Sequence, residues 1–253
     1  MLIAVALGAV YAGGFIFTGL VTAAVLLMFA EWCVMHGIGR GMRLAGLVLL
    51  AGVIAVLPFG PVTMAVIVLA AGAAGLGLFA RNYDRQRAFW LVSGVLYCGL
   101  PAIALLWLRA LPVGAMLTLW TLAIVWTADI AAFFVGRAIG GAKFAPAISP
   151  NKTWAGVIGA VLAAAVVAPL LAGVLTSVEA ISGLRMILAV MGGALAAVAV
   201  LGDLFESWLK RRAGVKNSGT LLPGHGGVLD RLDGLVPVSI AVTLVVAWHG
   251  TVV

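Results

Sequence analysis

The chain has 253 residues, 64% hydrophobic and only 9% charged, with a mean hydropathy of +1.24. Soluble domains run at about 45–50% apolar and about 25% charged, so a soluble fold is excluded and an integral membrane protein is implied. The formal net charge of +7 needs no nucleic acid partner, because basic residues of membrane proteins collect in cytoplasmic loops and face anionic lipid.

A helix rises 1.5 Å per residue, so a run of about 20 apolar residues crosses the hydrocarbon core. About nine candidate spans follow one another, near residues 1–12, 14–35, 44–58, 62–80, 88–108, 113–136, 154–175, 185–207 and 235–252. The first and third are short, and the first two can form one long segment bent around Gly13 and Gly14. No basic residue precedes the first run and no small-residue cleavage site is evident, so a removable signal peptide is not expected. The predicted fold class is all-α, a polytopic integral membrane protein. Its single membrane domain covers residues 1–253, with N-terminal apolar helices in 1–110 and catalytic helices with cytoplasmic loops in 111–253.

The loops check this map. Thirteen of the 15 Lys and Arg follow the even-numbered spans, and only Arg109 and Arg185 do not. The positive-inside rule then assigns the even-numbered loops to the cytoplasm. Cys33 in span two and Cys98 in span five lack metal-site spacing and read as packing residues. Trp32, Trp90, Trp107, Trp154, Trp208 and Trp248 fall near predicted span ends and read as an interfacial belt.

In span six, "WTADIAAFFVGR" puts Asp129 about two turns before the basic end at Arg137. The next cytoplasmic loop carries "SPNKT", which supplies Ser149, Asn151, Lys152 and Thr153. Span eight ends in Asp203, Glu206, Ser207, Lys210 and Arg211. Asp203 and Glu206 share a face at i and i+3, and Lys210 follows Glu206 at i+4. The chain then reaches Lys216 and "GHGGVLDRLDG", with His225, Gly226, Gly227, Asp230, Arg231 and Asp233. Nine of the 23 charged residues lie between Asp203 and Asp233, and carboxylates at membrane depth are costly without a partner or a wet cavity. Carboxylate oxygens suit Mg2+, Lys and Arg suit phosphates, and glycines let backbone N–H groups approach an anion. The sum is a phosphate-and-metal pocket facing the cytosol. A cation-coupled transporter accounts for Asp129 and Asp203 but leaves the glycine-rich loop unexplained.

"SWLKRRAGVKNSGTLLPGHGGVLDRLD", residues 207–233, resembles the signature of the CDP-diacylglycerol synthases, or phosphatidate cytidylyltransferases. "GDLFES", "SPNKTW" and "DIAAFFVGR" resemble further blocks of that family in the same order. The resemblance implies transfer of a cytidylyl group from CTP to phosphatidic acid in phospholipid biosynthesis. It also implies Mg2+ with room for a second cation, a bacterial inner membrane with the site facing the cytoplasm, and membrane lipids as partners; it allows a homodimer. By the motif, Asp203, Asp230 and Asp233 are the expected metal ligands, with Asp129 and Glu206 as further candidates. Asp203, Asp230, Asp233, Lys210 and His225 are the expected catalytic residues. Ser149, Asn151, Lys152, Thr153, Ser207, Arg211, Lys216, Gly226, Gly227 and Arg231 would bind the substrates' phosphates. Two positions depart from the family pattern: Asn217 stands where an Asp is usual, and Ala155 where an acid is frequent. A catalytically inactive, lipid-binding relative is the alternative those departures raise. A CDP-alcohol phosphotransferase is not supported, since "LVPVSIAVTLVV" after Gly234 holds neither Arg nor acid.

Overall fold

The computed structural model describes residues 2–175, 182–219 and 226–250. Its elements are α1 (Leu2–Ala12), α2 (Gly14–Met35), α3 (Arg40–Val56), α4 (Val62–Ala80), α5 (Arg85–Ala110) and α6 (Gly114–Ile139). A β-hairpin follows, β1 (Lys143–Ala145) and β2 (Ser149–Thr153), then α7 (Trp154–Leu175), α8 (Arg185–Arg212), the short α9 (Leu229–Leu232) and α10 (Leu235–Gly250). Seven helices are long and apolar enough to cross a membrane, namely α2, α3 with its 3-10 extension to Phe59, and α4 to α8. Among the described residues α1 and α10 are shorter than that, so the expected spans lie where the apolar runs put them, with full crossing length in seven.

The chain divides into two compact units. One holds residues 1–112 together with 212–232, the other 113–211 together with 233–253. In the first unit the bend at Gly13 and Gly14 breaks the apolar run into α1 and α2. Both glycines have positive φ, 62° and 46°, a region other residues enter at a cost. Arg109, near the end of α5, secures the break: its Nε donates to the carbonyl of Val10 at 2.8 Å, and its guanidinium lies against Gly13. Asp84 caps α5, accepting from the backbone N–H of Gln86 and Arg87 at 2.9 and 3.1 Å. Small residues let the helices approach closely, Gly46 against Phe29, Gly94 against Trp32 and Gly99 against Leu69. Cys33 and Cys98 are buried and free, consistent with packing roles.

Trp32 and Trp90 do not belong to an interfacial belt. Both are buried; the Trp32 indole donates to the Trp90 carbonyl at 2.7 Å and stacks on Tyr97 at 5.2 Å. Burial with a satisfied indole N–H is the alternative use of an amphipathic ring. Trp154 and Trp248 are exposed, as a belt requires.

In the second unit α6 and α7 pack through glycine. A Cβ on Gly156 would meet the Ala132 carbonyl oxygen at 2.8 Å, and one on Gly159 the Val135 side chain at 2.7 Å. Trp120 of α6 donates to the Ala168 carbonyl of α7 at 2.9 Å. The hairpin is a departure from an all-α chain. Gly140 and Gly141, with φ of 66° and 89°, end α6 in the left-handed region, and Pro146 and Pro150 prevent a helix from restarting at once. The strands pair antiparallel, Lys143 with Thr153 and Ala145 with Ser149. The hairpin hands the chain to α7, whose first turn is capped by Thr153, its Oγ1 accepting from Gly156 N at 3.2 Å.

Candidate active site

The site in the second unit begins on one face of α8. Helical spacing stacks Asp203, Glu206, Ser207 and Lys210 over two turns, and the helix continues through Arg212, beyond the end expected from hydropathy. Gly202 lets the chain after α9 come close, since a Cβ there would meet the Asp233 carbonyl oxygen at 2.5 Å. The carboxylate of Asp233 joins those of Asp203 and Glu206, with one oxygen of each within 4.8 Å of the others.

Two lysines balance this cluster. Lys152 of β2 reaches Asp203 Oδ2 at 2.7 Å and donates to the Val200 carbonyl at 3.2 Å. Lys210 reaches Glu206 Oε2 at 2.6 Å. Glu206 is fully buried, whereas the Asp203 side chain is 36% exposed, so one end of the cluster is sealed and the other open. Ser207 donates its hydroxyl to Asp203 Oδ1 at 3.4 Å. Asp233 Oδ1 accepts from Gly234 N at 2.8 Å. Burial, and next the Asp203 carboxylate, raise the Asp233 carboxyl from its ordinary 3.8 to about 7; Asp129 on α6 adds to this, while the Gly234 N–H and Lys152 oppose it. A group so held shares its time between acid and carboxylate near neutrality, and a bound cation would favour the carboxylate. The donors are all hard oxygens, two lysines are close by, and one edge is open, a combination that fits a hard divalent ion such as Mg2+.

The first unit gathers a different set of residues from the same signature. Asp230 Oδ2 accepts from Ser218 N at 3.1 Å, Ser218 Oγ at 2.9 Å and Gly227 N at 2.7 Å. Gly226, with φ of 81°, has no room for a Cβ, which would meet that same oxygen at 2.6 Å. The sequence reading had no role for Glu31 of α2, yet this buried acid holds the loop. Glu31 Oε1 accepts from Val228 N at 2.9 Å, and Oε2 from Leu229 N at 2.9 Å and Ser218 Oγ at 3.3 Å. Its signal was available, an acid inside an apolar run, the same rule that singled out Asp129.

The other expected residues are placed as follows. Ser149, Asn151 and Lys152 lie on β2, and the Thr153 hydroxyl is engaged in capping α7. Arg211 donates through Nε to the Ile148 carbonyl at 3.4 Å. Lys216 and Arg231 are exposed, and Gly227 gives its N–H to Asp230. His225 lies outside the described residues.

The cytidylyltransferase family model matches residues 1–249. A phosphatidate cytidylyltransferase of Brucella suis is 40% identical over 231 residues, covering 89% of this chain and 82% of the relative. One from Rickettsia bellii is 36% identical over 198 residues, 76% of this chain and 84% of the relative. One from Haemophilus influenzae is 47% identical over 124 residues, 48% of this chain and 42% of the relative.

Proposed function

The chain belongs to the cytidylyltransferase family, and on that premise we propose that it transfers the cytidylyl group of CTP to phosphatidic acid, giving CDP-diacylglycerol and pyrophosphate. The observation that carries this reading is the meeting of Asp203, Glu206 and Asp233 beside Lys152 and Lys210, within blocks that resemble the family signature. Of the three expected metal ligands, Asp203 and Asp233 stand with Glu206 in the acidic cluster, whereas Asp230 is bonded to the glycine loop and not in that cluster.

In the reaction a phosphate oxygen of the lipid attacks the α-phosphorus of CTP, and the bond from that phosphorus to the bridging oxygen of pyrophosphate breaks. A phosphate monoester has a second pKa near 6, so the attacking group is already largely dianionic near neutrality and no strong general base is required. The residues' task is to bring two highly anionic substrates together. Asp203, Glu206 and Asp233 would hold Mg2+, which supplies charge screening along the triphosphate. Lys152 and Lys210 would exchange carboxylate partners for phosphate oxygens as the cation takes over the charge of Asp203 and the buried Glu206, without which leaving a buried carboxylate unpaired is costly. Ser149, Asn151, Ser207, Arg211, Lys216 and Arg231 are proposed to contact the phosphates, His225 to orient the glycine turn or donate to a phosphate, and Asp230 to fix the loop carrying Gly226 and Gly227. Asn217 keeps an oxygen for hydrogen bonding without the charge.

The basic loops support a cytoplasmic site, and the bacterial relatives support an inner membrane. The deciding test is purified protein in detergent with CTP, phosphatidic acid and MgCl2. Pyrophosphate and CDP-diacylglycerol are expected together in equal amounts; no product with any divalent ion overturns the reading.

A further inference from the structure

The hairpin of α4 and α5, within the first unit, carries a cleft of about 780 Å3 that the acidic cluster does not use. Each helix contributes one stripe. Ala74, Gly77 and Leu78 of α4 recur at i, i+3 and i+4 and lead to Arg81 at i+7; on α5 the same spacing starts from Arg85 and passes through Ala88 and Phe89. Small residues hollow the slot, while Leu78 and Phe89, 57% and 61% exposed, form apolar sides. Both helices are long and apolar enough to cross a membrane, so lipid is the medium expected around those sides.

One end of the slot is cationic. Asp84, the acid of the same turn, is engaged elsewhere: it caps α5 and pairs with Arg87 Nε at 3.3 Å. Among the described residues Arg81 and Arg85 are exposed and neither is in an ion pair. A slot that is apolar along its length and doubly cationic at one end complements a molecule with a charged head and a hydrocarbon tail. Arginine forks suit phosphate oxygens, whereas a soluble phosphate would leave the apolar sides without a partner.

We propose that this cleft binds an anionic phospholipid, with its phosphate between Arg81 and Arg85 and one acyl chain between Leu78 and Phe89. Binding here is independent of turnover, so the test reads lipid occupancy. Full-length protein in detergent is incubated with phosphatidylglycerol or phosphatidylcholine bearing a photoactivatable acyl chain, and the labelled peptides are mapped by mass spectrometry. Label is expected within residues 74–92, with about a tenfold preference for phosphatidylglycerol, falling to parity in R81Q/R85Q. A74F keeps both charges and fills the slot, so labelling of that segment should fall several-fold; this arm stands even if the double variant does not fold. Excess glycerol 3-phosphate should leave labelling unchanged. Equal labelling by the two lipids, a preference that survives R81Q/R85Q, or displacement by glycerol 3-phosphate would each overturn the proposal, the last by marking a soluble-anion site.

Discussion

The carboxylates of the two units are satisfied in opposite ways. Glu31 and Asp230, in the first unit, accept from backbone N–H groups and the Ser218 hydroxyl. Asp203 and Glu206, in the second, face the ammonium groups of Lys152 and Lys210, with Asp233 crowded beside them. Amide donors are fixed by the chain that carries them, so the first arrangement sets the shape of a loop. A lysine can leave one anion for another, so the second can rearrange when a cation and a phosphate enter. Carboxylates of one chain thus divide between holding the backbone and handling charge.

The strongest way to break that division is Asp203→Asn. Removing one metal-holding charge should lower CTP turnover by about two to three orders of magnitude, with part of the loss recovered at high Mg2+ and gel filtration in detergent unchanged. Glu31→Gln should behave differently. Its amide would set N–H against N–H at Val228 or Leu229, and leaving a buried donor unpaired costs about 1–3 kcal/mol. That free energy shifts the balance between ordered and open loop by about 5- to 150-fold. Turnover should fall by up to that factor, the melting temperature should drop, and extra Mg2+ should restore nothing. Recovery of Glu31→Gln by Mg2+ would place Glu31 with the charge-handling acids and dissolve the comparison.

How much of this was legible in the chain follows from distance along it. The spans were readable because apolar runs and glycine or proline breaks are local signals, and the α8 face was readable because i, i+3 and i+4 fix which side chains share it. Glu31 stood out as an acid inside an apolar run, but its role did not, since its partner Val228 lies 197 positions away and no periodicity links a span to a distant loop. The hairpin at Lys143–Thr153 escaped because three- and five-residue strands are too short to display alternation. Trp32 and Trp90 misled because position near a span end is shared by ring systems facing lipid and ring systems facing a neighbouring helix.

Asp233 offers a graded test of the charge-handling set. Its carboxyl sits near 7, so a proton holds the site below that pH and must leave when a cation binds. The sign follows: Mg2+ affinity should rise with pH, by about tenfold between roughly pH 6 and 8, with a proton released on binding. Isothermal titration in buffers of different ionisation enthalpy reads both quantities. Asp233→Asn should flatten the slope; a slope that persists would assign the proton to another group.

The smallest effect belongs to Ser218, the hydroxyl between the two loop-holding acids, 2.9 Å from Asp230 and 3.3 Å from Glu31. One hydroxyl proton serves one acceptor at a time, and the shorter contact gives it to Asp230. In Ser218→Ala both carboxylates keep their amide donors, from Val228 and Leu229 to Glu31 and from Gly227 and the residue 218 backbone to Asp230. The loss is then one ordinary hydrogen bond, about 1 kcal/mol, read as a small drop in melting temperature and a few-fold fall in turnover. If Ser218→Ala were as damaging as Glu31→Gln, the hydroxyl and not the amides would be shaping the loop, and fixed backbone dipoles would lose the role that separates this unit from the lysine-paired one.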